Sequence, residues 1–405
     1  ERRFRLYGLA SIIIALLFMV LLFTAIVGAG HTAFVQSEIM LPIELDTAEF
    51  PSSPDDEQGY MNADYTGMIK QALRKQFPDA SSRGDKRALY QLVSPGAEYT
   101  LRDHVLENRG LVGKTVEIWL PADDDVDMDN KGNFDAGENP TGRLSEKQAG
   151  WVTALQGQGM IDTHFNTTFF TAGDSREPEL SGIRGALVGS FLTLLVTLAL
   201  SFPIGVGAAI YLEEFAPNNR WTDLIEVNVN NLAAVPSIVF GLLGLAVFIN
   251  FFGVPRSAPL AGGFVLTLMT LPTIIISSRA VLKAVPPSIR EAALGVGASR
   301  VQMVFHHVVP QALPGMLTGT IIGMGQALGE SAPLLMIGMV AFIVDIPGNV
   351  LDPSTVLPVQ IFLWADSPER AFMERTAAAM MLLLAFLVVL YATAVYLRKR
   401  YEKMW

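Results

Sequence analysis

The chain has 405 residues, 51% of them hydrophobic, a mean hydropathy of +0.38, no cysteine and a formal net charge of −10. That composition suits a membrane protein with a sizeable water-exposed part, and it excludes disulfide frameworks and thiolate metal sites. Residues 31–182 hold 26 acidic and 13 basic side chains while the remainder carries +3, which argues against a nucleic-acid partner, since that would need a basic patch.

The first residue is Glu1, so the natural start is expected to lie upstream. Arg2, Arg3 and Arg5 precede an apolar run from Leu6 to Gly30, long enough to cross a bilayer core of roughly 30 Å. No small-residue cleavage site follows it, so residues 1–30 read as a transmembrane anchor, and the basic flank puts the N-terminus in the cytoplasm.

Residues 31–182 are polar and interrupted by Pro and Gly, with short apolar runs such as Thr115–Leu120, and predict an independent α+β domain outside the cytoplasm. Gly113-Lys114-Thr115 ends like a phosphate-binding loop, but Asn108 stands where that loop needs Gly. Asp127, Asp129, Gly132, Asp135 and Glu138 have the spacing of an EF-hand calcium loop, with Lys131 at a position that normally carries an oxygen ligand. A solvated acidic loop accounts for the same residues.

Five further spans are expected at about Gly185–Tyr211, Val227–Phe252, Ala258–Leu282, Met316–Ile343 and Thr376–Leu397, six in all. Arg220, Lys283, Arg290 and Arg300, and the tail Arg398-Lys399-Arg400, fall in segments that alternate to the inner side, which puts the C-terminus in the cytoplasm too. Pro203, Pro236, Pro272 and Pro333 each remove a helix N–H and free a carbonyl, so these helices either kink for packing or flank a wet path. Glu330 stands deep in the fifth span, where a carboxylate is expensive and either functional or a helix lock; Gln326 and Ser331 are its polar neighbours. Arg279, near the inner end of its span, either snorkels or serves as an anion ligand at the inner mouth of the pathway.

Residues 286–315 form a polar stretch between two apolar ones. Ser288 with Glu291 and Ser299 with Gln302 read as two capping boxes, Gly295 and Gly297 as the turn between two short helices, and Pro310 and Pro314 as the stop. Glu291-Ala292-Ala293, then Gly297 and Pro310 at their spacing, resemble the coupling loop of ABC importer membrane subunits, which docks into the ATPase; His307-Val308-Val309 departs from the usual ending. Val235-Pro236-Ser237-Ile238-Val239-Phe240-Gly241-Leu242, Leu271-Pro272-Thr273-Ile274-Ile275 and Gly329-Glu330-Ser331-Ala332-Pro333-Leu334 are similar to the phosphate importer permeases, PstA-like in the long form with an insert.

The resemblance implies an all-α polytopic membrane protein: six transmembrane helices with a type I ABC importer permease core at 183–405, and an α+β extra-cytoplasmic domain inserted between helices 1 and 2. It further implies a bacterial inner-membrane location, a PstC-like permease partner, a PstB-like ATPase dimer, a PstS-like binding protein and phosphate as substrate. ATP and Mg would sit on the ATPases, with no cofactor on this chain. The implied pathway residues are Glu330, Gln326, Ser331, Arg279, Pro333, Pro236 and Ser237, and the implied coupling residues are Glu291, Ala292, Ala293, Gly297, Arg290 and Arg300. Many relatives carry Arg where Gln326 and Ile276 stand, so the anion-binding charge is left to Arg279 or to the partner permease. An ion-coupled secondary transporter using Glu330, and a membrane-anchored sensor acting through residues 31–182, remain the alternatives.

Overall fold

The computed structural model describes residues 2–51, 53, 55–132 and 144–402, and the chain divides into two compact units. The first comprises residues 1–171, 175–182 and 367–378; the second comprises 172–174, 183–366 and 379–405.

The first unit opens with helix α1 (Arg2–Gly30), almost wholly exposed and largely apolar from Leu6 onward. Its sheet has three antiparallel strands, β1 (Val35–Glu44), β2 (Thr115–Pro121) and β3 (Ile161–Phe165), in the order β2-β1-β3. Ile39, Leu41 and Ile43 alternate along β1 and are fully buried, as the period of two in a strand requires. They pack against apolar faces of α2 (Tyr65–Gln76), α3 (Ala97–Glu107) and α5 (Glu146–Gly157), with α4 (Asp124–Asn130) lying between the last two in sequence.

Charges are buried in this unit as well. Lys131 Nζ donates to Asp127 Oδ2 at 2.6 Å and to Glu374 Oε1 at 3.1 Å, and all three side chains are at most 6% exposed. Asp127 Oδ1 also accepts the Ser37 backbone N–H at 2.7 Å, and Glu374 Oε2 accepts the Thr32 hydroxyl at 2.8 Å. Arg375, fully buried, donates from Nη1 to the Ser181 carbonyl at 2.7 Å and lies over the Phe169 ring. Residues 374 and 375 begin the long helix α14 (Ala371–Glu402), whose first turns thus belong to this unit and whose remainder belongs to the other. The close approach of α1 to that start needs Gly30, because a Cβ there would lie 2.7 Å from Ala378 N. Nearby, burial pushes the Glu179 carboxyl up to about 7. Burial, reinforced by the charges of Asp124 and Glu179, holds Asp123 well above the usual carboxylate range.

The second unit is helical. Helices α6 (Arg184–Ile210) and α9 (Pro259–Ala284) pack along their lengths, and α12 (Val309–Gly329) packs on both. Small residues let them approach: a Cβ on Gly205 would meet Ile274 at 2.7 Å, and one on Gly315 would meet Val281 at 2.5 Å. Among the described residues four helices are long and apolar enough to cross a membrane, or five if one bent pair counts as a span, so this is a multi-pass membrane protein.

Two of the expected spans are interrupted. Val227–Phe252 is split into α7 (Arg220–Leu232) and α8 (Ser237–Gly244, continuing as a wide turn to Phe251), bent by 104°. The break falls at Pro236, in extended conformation with ψ 136°, because a proline disfavours helical geometry in the residue before it. Met316–Ile343 ends as a helix at Gly329; Glu330 is extended (φ −84°, ψ 121°), and only the short helix α13 (Ala332–Met336) follows. Pro333 has no N–H to continue the ladder, so Glu330 sits at a break and not inside a helix.

Replacing Lys131 by Met leaves Asp127 and Glu374 buried without their cation, and should destabilise the first unit by about 3 kcal/mol. A clear drop in the unfolding temperature of the purified full chain is expected; an unchanged temperature would show that the pair is not needed.

Candidate functional site

The polar stretch at 286–315 folds around two adjacent glutamates. The chain leaves α6 through a π-helical turn at Tyr211–Phe215, closed by the Ala216 N–H donating to the Tyr211 carbonyl at 2.8 Å. Such turns re-aim side chains and are frequent at functional places. Here Glu213 and Glu214 reach different arginines.

Glu214 is 7% exposed and accepts from Arg290, Nη2 to Oε1 at 2.7 Å and Nε to Oε2 at 3.4 Å. The same guanidinium donates to the Leu282 and Val285 carbonyls at 2.9 and 2.6 Å at the C-terminus of α9, where Leu282 also accepts the Val285 N–H at 3.2 Å. Arg300 adds a bond of 2.6 Å to the Glu214 carbonyl and lies over the Phe215 ring. Arg279 on α9 pairs with Glu226 of α7 at 3.0 Å and with Glu213 at 3.4 Å, and Lys283 lies 3.8 Å from Glu213. One cluster therefore ties the ends of α6, α7 and α9 to helix α10 (Pro287–Gly295).

α10 begins after Pro286, with Pro287 at its first position, a residue whose fixed φ suits a helix start. No side chain caps this end, so the capping box expected for Ser288 and Glu291 is not formed. Glu291 is exposed and its carboxylate is engaged by no described residue. Gly295 stays helical; the turn is made by Gly297 at φ +91°. The Ala298 N–H donates to the Ala293 carbonyl and the Gly297 N–H to the Leu294 carbonyl, a complete Schellman ending. The second capping box is present: Ser299 and Gln302 start helix α11 (Arg300–Met303). That helix does not stop at Pro310. It runs through a π segment, Val304–Val308, into α12, with Pro310 in the first turn and Pro314 inside, because a first-turn proline costs no hydrogen bond.

Ala293 is buried against the bundle, whereas Ala292 is exposed, Val296 is 85% exposed and Leu294, Val301 and Phe305 about half exposed. Exposed apolar side chains thus run from the end of α10 through its turn into the segment that follows.

The expected pathway residues fall elsewhere in the unit. The breaks at Pro236 and Glu330 introduce α8 and α13, which are in contact: a Cβ on Gly241 would lie 2.7 Å from the Pro333 Cα. Pro333 is buried, Ser237, Glu330 and Ser331 are half-buried, and Pro236 and Gln326 are exposed. The Glu330 carboxylate is bonded to no described residue. Arg279 is not with them; its charge is matched by two glutamates in the cluster beside α10. Glu213, Glu214 and Glu226 were missed in the sequence, although two acids closing an apolar span are expensive enough to demand partners. Asp127 and Asp129 lie on α4 and not in a loop, and Lys131 already supplies a cation to Asp127; Asp135 and Glu138 lie outside the described residues.

Comparison with known proteins adds to this geometry. Residues 1–139 match a domain of unknown function, DUF3333, and residues 201–403 match the family described as binding-protein-dependent transport system inner membrane component. The probable ABC transporter permease protein YqgI of Bacillus subtilis is 36% identical over 167 residues, 41% of this chain and 56% of that protein. The phosphate transport system permease protein PstA of Haemophilus influenzae is 30% identical over 199 residues, 49% of this chain and 69% of that protein. A solved structure of the MetNI methionine ABC transporter aligns with 53% of this chain and 96% of its own at 19% identity, TM-score 0.44. The chain spans 56% and 52% of the length of the first two curated relatives it matches. With half of its length matched to that one profile, the chain belongs to the binding-protein-dependent transport system inner membrane component family.

Proposed function

We propose that the chain is the transmembrane permease subunit of an ATP-driven phosphate importer in a bacterial inner membrane, with α10 as the socket for a separate ATPase. The observation that carries this reading is α10 itself: a rigid, Schellman-terminated helix braced at its base by Arg290 and Glu214, with Glu291 and Val296 left facing outward. Phosphate is taken from the relatives, among them the phosphate transport system permease PstA of Haemophilus influenzae. The partners in this reading are a PstC-like permease, a PstB-like ATPase dimer carrying ATP and Mg, and a PstS-like binding protein. Both termini lie in the cytoplasm and residues 31–182 on the opposite side.

The ion-pair cluster suggests how the machine is coupled. A load on α10 is passed through Arg290 to α6 and α9 together, because one guanidinium holds the Glu214 carboxylate and two carbonyls of the α9 end. ATP binding would bias the equilibrium between inward- and outward-open arrangements of these helices. Substrate passes at the paired helix breaks, where Glu330 accepts a hydrogen bond from protonated phosphate and repels fully deprotonated oxyanions. Arg279, neutralised by Glu213 and Glu226, acts as a brace, and the anion-attracting charge comes from the partner permease.

Gly297→Leu forces a branched residue to φ +91°, at a cost of about 1–2 kcal/mol, and should abolish ATP-coupled uptake while the protein remains in the membrane. Normal transport by that variant would count against docking at α10. Arg290→Lys keeps the charge but not the fork, so uptake should fall roughly tenfold, about 1.4 kcal/mol; wild-type rates would show that the brace is dispensable. Glu330→Gln should lower phosphate uptake and its preference over sulfate in reconstituted vesicles. If both stay as in wild type, Glu330 has no part in selection.

A further inference from the structure

A groove of about 530 Å³ lies wholly within the second unit, between α6, α12 and α14. Leu198, Phe202, Leu317, Phe386 and Leu397 are among its walls, and of the residues that line it only Thr320 and Thr393 carry a polar side chain. Both hydroxyls are already spent on their own helices, Thr320 on the Met316 carbonyl at 2.9 Å and Thr393 on the Val389 carbonyl at 2.8 Å. A polar solute would therefore find no hydrogen-bonding group there, and an apolar chain loses nothing by entering.

Two contacts fix how α12 and α14 flank the groove. Arg398 Nη1 reaches Thr318 Oγ1 at 3.5 Å, and about two turns away the Tyr391 hydroxyl packs on Gly325, where a Cβ would clash. The groove along α14, from Phe386 to Leu397, thus rises by about 16 Å, roughly half of a 30 Å hydrocarbon core. A transmembrane helix, roughly 10–12 Å across with its side chains, would lie over such a cleft and leave it unfilled. At the Leu397 end the character of the surface changes abruptly, because Arg398, Lys399 and Arg400 follow. Leu390, Ala394 and Leu397 recur at helical spacing, so the exposed Arg400 continues their face, while Arg398 stands beside Leu317 through its contact with Thr318. One leaflet of apolar depth ending at clustered cations matches a lipid with an acidic headgroup.

We propose that this groove seats an acyl chain of an anionic phospholipid whose phosphate lies against Arg398 and Arg400. Placing that lipid in the cytoplasmic leaflet rests on the cytoplasmic C-terminus of the transporter reading; the groove and its cations do not depend on it.

The test uses the purified full chain, stripped of lipid in detergent, with phosphatidylglycerol and phosphatidylcholine of the same acyl chains as probes. In native mass spectrometry phosphatidylglycerol should be retained more strongly than phosphatidylcholine, and it should raise the unfolding temperature. Inorganic phosphate should not displace it, because the acyl chain holds the lipid in its seat. Arg398→Gln and Arg400→Gln should each weaken its retention roughly fivefold and leave phosphatidylcholine unchanged. Arg400 is exposed, so its variant gives this readout without disturbing the fold. Ala394→Trp fills the groove and should abolish retention with both cations in place. In membranes of cells that express the whole transport complex, phosphatidylglycerol with a diazirine in its acyl chain should label α14 between Phe386 and Leu397, more than its phosphatidylcholine counterpart does. The proposal is overturned by equal retention of the two lipids, by retention that survives Ala394→Trp, by displacement with phosphate, or by a groove left unlabelled because a helix of this chain or of a partner covers it. None of these readouts uses transport, so their failure is distinguishable from failure of the phosphate reading.

Discussion

The membrane unit depends on one guanidinium. Arg290 spends its donors on the Glu214 carboxylate and on the Leu282 and Val285 carbonyls at the end of α9. A lysine could not span those acceptors, because a single ammonium lacks the planar fork. Around this junction Arg279, Arg300 and Lys283 meet Glu213, Glu226 and the Glu214 backbone, so three apolar helices converge on a polar knot from which α10 projects. The arrangement fastens the base of α10 to the ends of α6 and α9.

The first unit solves a different problem with the same chemistry. Lys131, Asp127, Glu374 and Arg375 are buried, and they fasten the first turns of α14 to a sheet whose last strand ends as far back in the chain as Phe165. Buried pairs of this kind contribute little net stability against apolar replacements, but removing one partner is costly. They therefore fix which residues belong together more than how strongly the unit holds.

Much of this was legible in the sequence where local physics decides. The run at Thr115–Leu120, the Ser299 and Gln302 capping box and the turn at Gly297 all follow from residue type and spacing. Three features did not. Pro286 and Pro287 displaced the cap expected at Ser288, since proline geometry at a helix start outranks a side-chain bond one residue later. Hydropathy ran through Pro236 and Glu330 without registering that the backbone breaks there. Glu213, Glu214 and Glu226 gain meaning only from arginines more than fifty residues away, a pairing that no local window contains. The same holds for Glu374 and Arg375, which stand just before the span expected from Thr376 and fold with the first unit.

The central claim is that the turn after α10 is where a separate motor grips this chain. A photo-crosslinking amino acid at Val296, 85% exposed and free of any bracing role, tests it most directly in membranes of cells that express the whole transport complex. The account predicts an adduct with an ATPase subunit from position 296 and none from Phe251, 79% exposed at the end of the segment that follows α8. An adduct with the ATPase that is absent at 296 and present at 251 would contradict it.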